Sequence, residues 1–350
     1  MIYYPALICE PATNEDRTRA QAIIEKYGQT SRARFTLFED KSYFFSPNGS
    51  VIAFVVKGQI ALVLGDPIGP QDDVEASIVA FKSFCARHNW QACFYQTQPD
   101  YLNIYKTLEF NVMSVGQEAI VDLAAITLEG HAGKEFRNVV NRLTRLGHRV
   151  EIYEPPMSDT LLGELKIISD EWLTGVKGSE FRFSVGWFDD KYIRDSIVAV
   201  VYTPEGCMSA FTNIVSDYQR KEAVVDLMRR RRKVENGTMD FLFISIFDWA
   251  KFKGNTTFSL GFSGLSGIGE KSDSPAVEKA LHYLYENMSR FYNVKGLQTF
   301  KDKFHPRWES RYMVYPKTAN LSAIAIAFAR AHNGDDFLWT YIRGRTKQTP

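Results

Sequence analysis

Asp226 and Arg229 stand three residues apart at the end of a short apolar run, Ala223-Val224-Val225-Asp226-Leu227-Met228, of strand length. Arg229 also opens five consecutive basic residues, Arg229-Arg230-Arg231-Arg232-Lys233, and the turn dipeptide Asn236-Gly237 follows. Thr238 sits where a helix N-cap belongs, and Phe241, Ile244, Phe247, Trp249 and Phe252 then recur at roughly helical spacing. Lys253-Gly254 stops that helix, and a second strand runs from Thr257 to Leu260. A strand, a basic loop and a helix start that return to a parallel strand bring unpaired N–H groups and fixed positive charge together, which suits a phosphate. The strand end is also where an open α/β sheet binds ligands, and it is where Asp226 and Arg229 fall. A solvated basic loop would present the same residues, so both readings stand at this point.

A second basic segment runs from Lys134 to Gly147. Phe136, Val139, Val140, Leu143 and Leu146 form an apolar stripe, and Lys134, Arg137, Arg142 and Arg145 fall largely off it. The spacing predicts a basic amphipathic helix stopped by Gly147. Its charged side is either an ordinary solvated face or a ridge that meets phosphates. Cys9, Cys85, Cys93 and Cys207 show no CxxC or Cys/His spacing. Cys85 and Cys93 read as buried thiols in a reducing compartment. Neither a metal-ligand cluster nor a GxSxG elbow is visible, so a metal or covalent serine route has no support.

The elements that must position these residues fall into two similar series. The first reads as a helix over 15–30, strands over 43–45, 51–57 and 59–64, a helix over 74–88, a strand over 92–96, a helix over 101–108, and strands around 112–115 and 118–122. After the glycine-bearing link 129–133 come the basic helix, a strand over 148–153, a helix over 159–173, a helix within 187–198, and strands over 199–202, 208–215 and 222–228. The central stretch follows, then helices over 277–292 and 320–331, with a strand-like alternation before the second. The whole is an α/β chain in two units split near 130. At 350 residues and 45% hydrophobic content it can bury two cores. A net charge of +1 confines any nucleic-acid contact to the two basic patches. No signal peptide is apparent and no run approaches a membrane span.

Several blocks, taken in order, resemble the soluble synthase domain of the aminoacyl-phosphatidylglycerol synthases, the lysyl- and alanyl-phosphatidylglycerol synthetases. They are Gly65-Asp66-Pro67-Ile68-Gly69-Pro70, Gly116 to Leu123, Lys134 to Gly147, Ile168 to Leu173, Phe183 to Asp189, Asp226 to Arg229, Gly237 to Leu242, and Lys301 to Tyr315. The likeness extends from about Ala33 to Tyr315. It implies a tandem GNAT-like acyltransferase fold, α/β (α+β), related to the Fem-type aminoacyltransferases. The domains would be 1–130 and 131–350, the second catalytic and entered by the basic helix 134–146. The implied reaction moves an amino acid, lysine or alanine, from aminoacyl-tRNA to a hydroxyl of phosphatidylglycerol. The implied partners are aminoacyl-tRNA, as co-substrate with no further cofactor, and anionic phospholipid at the inner face of the cell membrane, where a cytoplasmic protein would sit peripherally. Members usually carry an N-terminal multi-helix membrane region that this sequence lacks, so an excised synthase domain or a soluble relative is expected. Rival readings are a Fem-like acyltransferase acting on a peptide or small molecule, and a non-catalytic lipid- or RNA-binding relative. An acyl-CoA donor would want a glycine-rich cradle, for which Arg229–Gly237 is too rich in arginine.

Moving an aminoacyl ester to an alcohol requires alignment, removal of one proton and support for an oxyanion. The resemblance places Asp226, Arg229, Lys301 and Glu270 in the active site. An ordinary aspartate, with a pKa of about 4, is a feeble base toward an alcohol. Asp226 is therefore expected to grip the α-ammonium, with proton removal as its second task. Arg229 suits a phosphate or the oxyanion, and Lys301 the leaving ribose oxygen or a lipid phosphate. Lys134, Arg137, Arg142 and Arg145 would meet the tRNA backbone. Arg230, Arg231, Arg232 and Lys233 would serve tRNA or anionic head groups.

Overall fold

A computed structural model describes residues 11–30, 32–175, 180–216, 218–219, 222–264 and 294–335. Its first series comprises α1 (Asn14–Tyr27), α2 (Arg32–Phe35), β1 (Ser42–Phe45), β2 (Val51–Lys57), β3 (Ile60–Leu64), α3 (Val74–Arg87), β4 (Gln91–Thr97), α4 (Leu102–Thr107) and β5 (Phe110–Asp122). The second comprises α5 (Lys134–Arg145), β6 (Arg149–Tyr153), α6 (Asp159–Thr174), α7 (Asp190–Arg194), β7 (Ile197–Tyr202), β8 (Met208–Ser216), β9 (Glu222–Arg230), α8 (Thr238–Phe252) and β10 (Thr257–Gly264). It continues with α9 (Val294–Asp302), β11 (Arg307–Pro316) and α10 (Leu321–Asn333).

The eleven strands of the described residues form one sheet, ordered β1-β2-β3-β4-β11-β5-β10-β9-β8-β7-β6. Each series is an antiparallel meander followed by a parallel pair, β3 with β4 around α3 and β9 with β10 around α8. The strand after each parallel pair is exchanged. β5 lies against β10 of the second series, and β11 returns between β4 and β5. The expected divide near 130 falls between β5 and α5, and the sheet crosses it unbroken.

Alternation along the strands places the cores on both faces. Ile60, Leu62 and Leu64 face a cluster with Phe328 of α10, while Ala61 and Val63 face Ile78 and Phe81 of α3. In β7, Ala199 and Val201 pack toward α8, and Val198 and Val200 toward α6. Cys85 and Cys93 are buried, as the sequence suggested.

Three local expectations differ. The helix expected within 187–198 is only α7, because Asp189 caps it through the Tyr192 N–H at 2.9 Å and the β-branched run from Ile197 already belongs to β7. The strands expected around 112–115 and 118–122 are one strand, irregular where Gly116 takes φ +138° opposite β11. Thr238 is not the cap of α8: Gly237, at φ +78°, holds that position, and the Thr238 hydroxyl donates to the Glu235 carbonyl at 2.6 Å. Helix α9 gave no signal that was read, and the helix expected over 277–292 lies outside the described residues.

Candidate active site

The two parallel pairs differ where it matters. β3 and β4 stay in register over five residue pairs, ending at Leu64 opposite Tyr95. β9 and β10 stay together only from Glu222–Thr257 to Val224–Ser259. Beyond that point both strands are irregular. β10 slips against β5 between Ser259 and Phe262, around Gly261 at φ +80°. β9 carries an extra residue opposite Asn213, since Ile214 faces Val225 and Thr212 faces Met228. Asn213 Oδ1 accepts the Leu227 N–H at 2.8 Å that this bulge frees.

That bulge brings the candidate pair together. On a regular strand, residues three apart face opposite sides; the extra residue returns Asp226 and Arg229 to one side, where both border a cleft of about 500 Å³. The basic run is thus not a loop from Arg229 onward, as expected, because β9 continues through Arg230. The cleft is walled by Trp172, Leu297 and Phe300 and carries Arg230. Behind it lies a chamber of about 140 Å³ that shares Val185, Asp226, Met228 and Leu297 with the cleft and adds Glu118, Ser184 and Lys301. Arg32 lines this chamber and also a polar cavity of about 230 Å³ with Thr30, Gln98, Glu222 and Arg307.

Asp226 is fixed from both carboxylate oxygens. The Gly186 N–H donates to Oδ1 at 3.1 Å, and the Tyr192 hydroxyl donates to Oδ2 at 2.7 Å. Burial lifts its carboxyl above the usual range against those two hydrogen bonds. It is accordingly a better proton acceptor than an exposed aspartate. Arg229, 6% exposed, pairs with Glu180 at 2.6 Å and lies 3.9 Å from the Trp172 ring centre. Glu180 turns the expected anion ligand partly inward: one face of the guanidinium is stacked and one nitrogen is paired.

Lys301, on α9, is 2% exposed. Its Nζ donates to the carbonyls of Gly261 at 3.0 Å and Phe262 at 3.1 Å, and to Ser263 Oγ at 3.3 Å. Burial brings its ammonium down to about 7, although the charge of Glu118 acts the other way. Three acceptors suit the ammonium, so the residue is poised between charged and neutral forms. Glu118 of β5 receives Arg32 at 2.5 Å, Arg311 at 2.6 Å and the Ser259 hydroxyl at 2.7 Å. Burial opposes its charge, but the two guanidiniums hold it down at about 2. Ser259 Oγ in turn accepts the Gly261 N–H at 3.1 Å, which ties Glu118 to the β10 irregularity that Lys301 caps.

The two basic patches adjoin one another. Helix α5 packs on α8, and Arg142 bridges to Glu235 at 2.7 Å and to the Asn236 carbonyl. Six of the eight expected phosphate ligands have local partners. Besides Arg142, Arg137 bonds the Gly130 carbonyl at 3.0 Å, Arg231 pairs with Glu171 at 3.0 Å, Arg232 donates to Thr174 Oγ1 at 2.7 Å, and Arg145 and Arg230 donate to the backbone carbonyls of Asn141 at 3.1 Å and Arg231 at 3.3 Å. Lys134, Arg145, Arg230 and Lys233 are exposed. Glu270 lies outside the described residues. Reading the sequence did not single out Glu118, Glu180, Ser184 or Tyr192; only the chain fold brings them to Asp226 and Lys301. Among the described residues no cluster of metal-binding side chains occurs, and no helix is long and apolar enough to cross a membrane.

The splayed parallel pair of this sheet, with a half-buried Asp226 and a buried Lys301 in the opening, belongs to a Fem-like α/β fold. The solved structure of FemX shares that fold at 10% identity, with a TM-score of 0.56 over 86% of this chain and 96% of its own. Over residues 21–315 the sequence matches the family described as phosphatidylglycerol lysyltransferase, C-terminal, and the chain belongs to that family. The phosphatidylglycerol lysyltransferase of Bacillus subtilis (strain 168) is 34% identical over 318 residues, which cover 90% of this chain and 37% of that protein. The chain thus spans little more than a third of the length of that relative. The structure of L-PGS from Bacillus licheniformis is 33% identical, covers 92% of this chain and 98% of its own, and superposes with a TM-score of 0.82.

Proposed function

We propose that this chain transfers an amino acid from aminoacyl-tRNA to a hydroxyl of phosphatidylglycerol. The observation that carries the reading is the chamber between the parted strands, which joins Asp226 and Lys301 and meets a cavity at either end. The names of the relatives support the class of reaction and the lipid. Ester exchange is nearly thermoneutral, so the protein's task is alignment and proton traffic.

The aminoacylated ribose enters through the wide cleft, which carries Arg230, while the exposed Lys134, Arg145 and Lys233 supply further positive charge for the rest of the tRNA. Asp226 holds the α-ammonium. The alcohol, arriving past Arg32, attacks the ester carbonyl. Its oxygen forms the new ester bond as the bond to the ribose oxygen breaks. Lys301, with a pKa of about 7, gives a proton to that leaving oxygen. The alcohol's own proton passes to Asp226 or to solvent in the cleft. Arg229, anchored by Glu180 and Trp172, keeps positive charge beside the developing oxyanion.

Incubation with lysyl-tRNA or alanyl-tRNA and phosphatidylglycerol vesicles, followed by mass spectrometry of the lipids, tests this. An aminoacyl-phosphatidylglycerol product is expected. Failure with every aminoacyl-tRNA, together with transfer from an acyl-CoA, would overturn the donor assignment.

A further inference from the structure

One buried pair bordering the chamber has no part in the chemistry above. Ser184 Oγ lies 2.9 Å from His332 Nε2, and His332 Nδ1 lies 3.0 Å from the Phe328 carbonyl oxygen. A carbonyl only accepts, so Nδ1 carries the ring hydrogen and Nε2 offers its lone pair to the Ser184 hydroxyl. The serine proton is thereby committed to the histidine, and the oxygen keeps only its acceptor capacity for any other partner. Burial, aided by the charge of Lys41, takes His332 down to about 4. The ring is neutral near pH 7 and too weak a base to take the proton outright. Its function is to fix the direction of the serine hydrogen.

The backbone at Ser184 is held in an uncommon shape. Phe183 has φ +70°, and the Ser184 N–H returns to the Arg182 carbonyl at 2.9 Å, which is a γ-turn of the rare positive-φ kind. The turn is pinned on several sides. Arg182 N–H bonds the His332 carbonyl at 3.0 Å, the Phe183 ring meets the His332 ring at 5.2 Å, and Lys41 Nζ lies 4.9 Å from the Phe183 ring centre. Two residues later the same segment supplies the Gly186 N–H to Asp226.

We propose that Ser184 is a substrate-binding residue whose hydroxyl oxygen, locked by His332 as a hydrogen-bond acceptor, receives the O–H of the attacking alcohol and orients it before attack; Ser184 takes no proton, which leaves for Asp226 or solvent as the new ester bond forms. This rests on the transfer reaction proposed above. The donor inventory selects the partner. An aminoacyl ester presents only acceptors at its carbonyl and ester oxygens, and its α-ammonium is matched by the Asp226 carboxylate. Glu118, the carboxylate that also lines the chamber, already receives Arg32, Arg311 and Ser259. The O–H donors left are those of the alcohol and of the ribose hydroxyl beside the ester, and Ser184 lines the inner chamber that the alcohol reaches past Arg32, not the cleft that admits the ribose.

The test compares transfer to phosphatidylglycerol vesicles with hydrolysis of the same lysyl-tRNA in their absence, for wild type, Ser184→Ala, His332→Gln and His332→Phe. Ser184→Ala is expected to lower transfer by roughly 10- to 100-fold while hydrolysis and tRNA affinity change little. His332→Gln retains an acceptor near the Nε2 position and should keep most transfer. His332→Phe should fall toward the Ser184→Ala level. Thermal melting reports folding, and if Ser184→Ala does not fold the two His332 variants decide alone. Equal loss of transfer and hydrolysis, unchanged transfer in Ser184→Ala, or equivalence of the two His332 variants would overturn the proposal. A wild-type protein that forms no aminoacyl lipid would overturn the transfer reading itself, before any variant is compared.

Discussion

Replacing Gly186 by alanine perturbs Asp226 without changing any functional group. A Cβ at this position would fall inside any real contact distance of Asp226 Oδ2 and 2.6 Å from Tyr192 Cε1. The carboxylate would have to retreat by about 1 Å or more, and a displacement of that size in a reacting constellation costs about 100-fold in rate. The retreat also strains the Gly186 N–H and Tyr192 hydroxyl bonds, now 3.1 and 2.7 Å. Hydrogen bonds to a charged group contribute about 1.5–3 kcal/mol each, and overpacking a tight site costs about 1–3 kcal/mol. Gly186→Ala should therefore lower kcat for aminoacyl transfer by roughly 100-fold and unfolding stability by roughly 1–3 kcal/mol. Single-turnover transfer to vesicles and urea denaturation measure the two effects. A variant that is destabilised yet transfers within threefold of wild type would refute the assignment of Asp226 to the reacting centre.

Lys301 makes the reaction sensitive to pH. If its ammonium protonates the leaving oxygen, kcat/KM should fall as pH rises through about 7, and Lys301→Arg should move that limb to higher pH. Stability has the opposite sense. The folded pKa of about 7 lies below the unfolded 10.5, so the buried ammonium destabilises fully below 7 and its cost is relieved between 7 and 10.5. Lys301→Met should accordingly stabilise the fold more at pH 6 than at pH 9.5, as read by urea denaturation. Glu118→Gln leaves Arg32 buried without its carboxylate and Arg311 with Glu309 alone, and should cost about 3–5 kcal/mol; a loss under about 1 kcal/mol would show that the network is not structural. Neutralising any of Lys134, Arg145, Arg230 or Lys233 should reduce the salt dependence of tRNA binding by up to about one ion per residue. Arg142→Ala should instead loosen the joint between α5 and α8, visible as lower stability.

Much of the architecture was legible because strand and helix periodicity is a local property. The strands over 51–57 and 208–216 and the basic helix follow from apolar spacing alone. The exchange of β5 and β11 did not, since which strands neighbour each other depends on contacts far apart in sequence. Asp226, Arg229 and Lys301 were named from a motif, but what turns Asp226 and Arg229 to one side was not legible. The bulge that puts Asp226 and Arg229 on one side depends on Asn213 of a neighbouring strand, and no pattern within β9 encodes it. The basic residues show the converse limit. Composition revealed the charge, while Glu171, Glu235 and the Gly130 carbonyl decide that Arg231, Arg142 and Arg137 are tied to the fold. Ser184 and Tyr192 belong to or follow a block that carried the resemblance, yet neither residue type draws notice until the fold brings it beside His332 or Asp226.

The most direct test compares wild type and Asp226→Ala in a single turnover, with radiolabelled lysyl-tRNA bound to excess protein before phosphatidylglycerol vesicles are added. Label moving into lipid with the wild type, and staying on a still-bound tRNA with the variant, is the predicted result. Equal transfer by both proteins would contradict a reaction centred on the opening between β9 and β10.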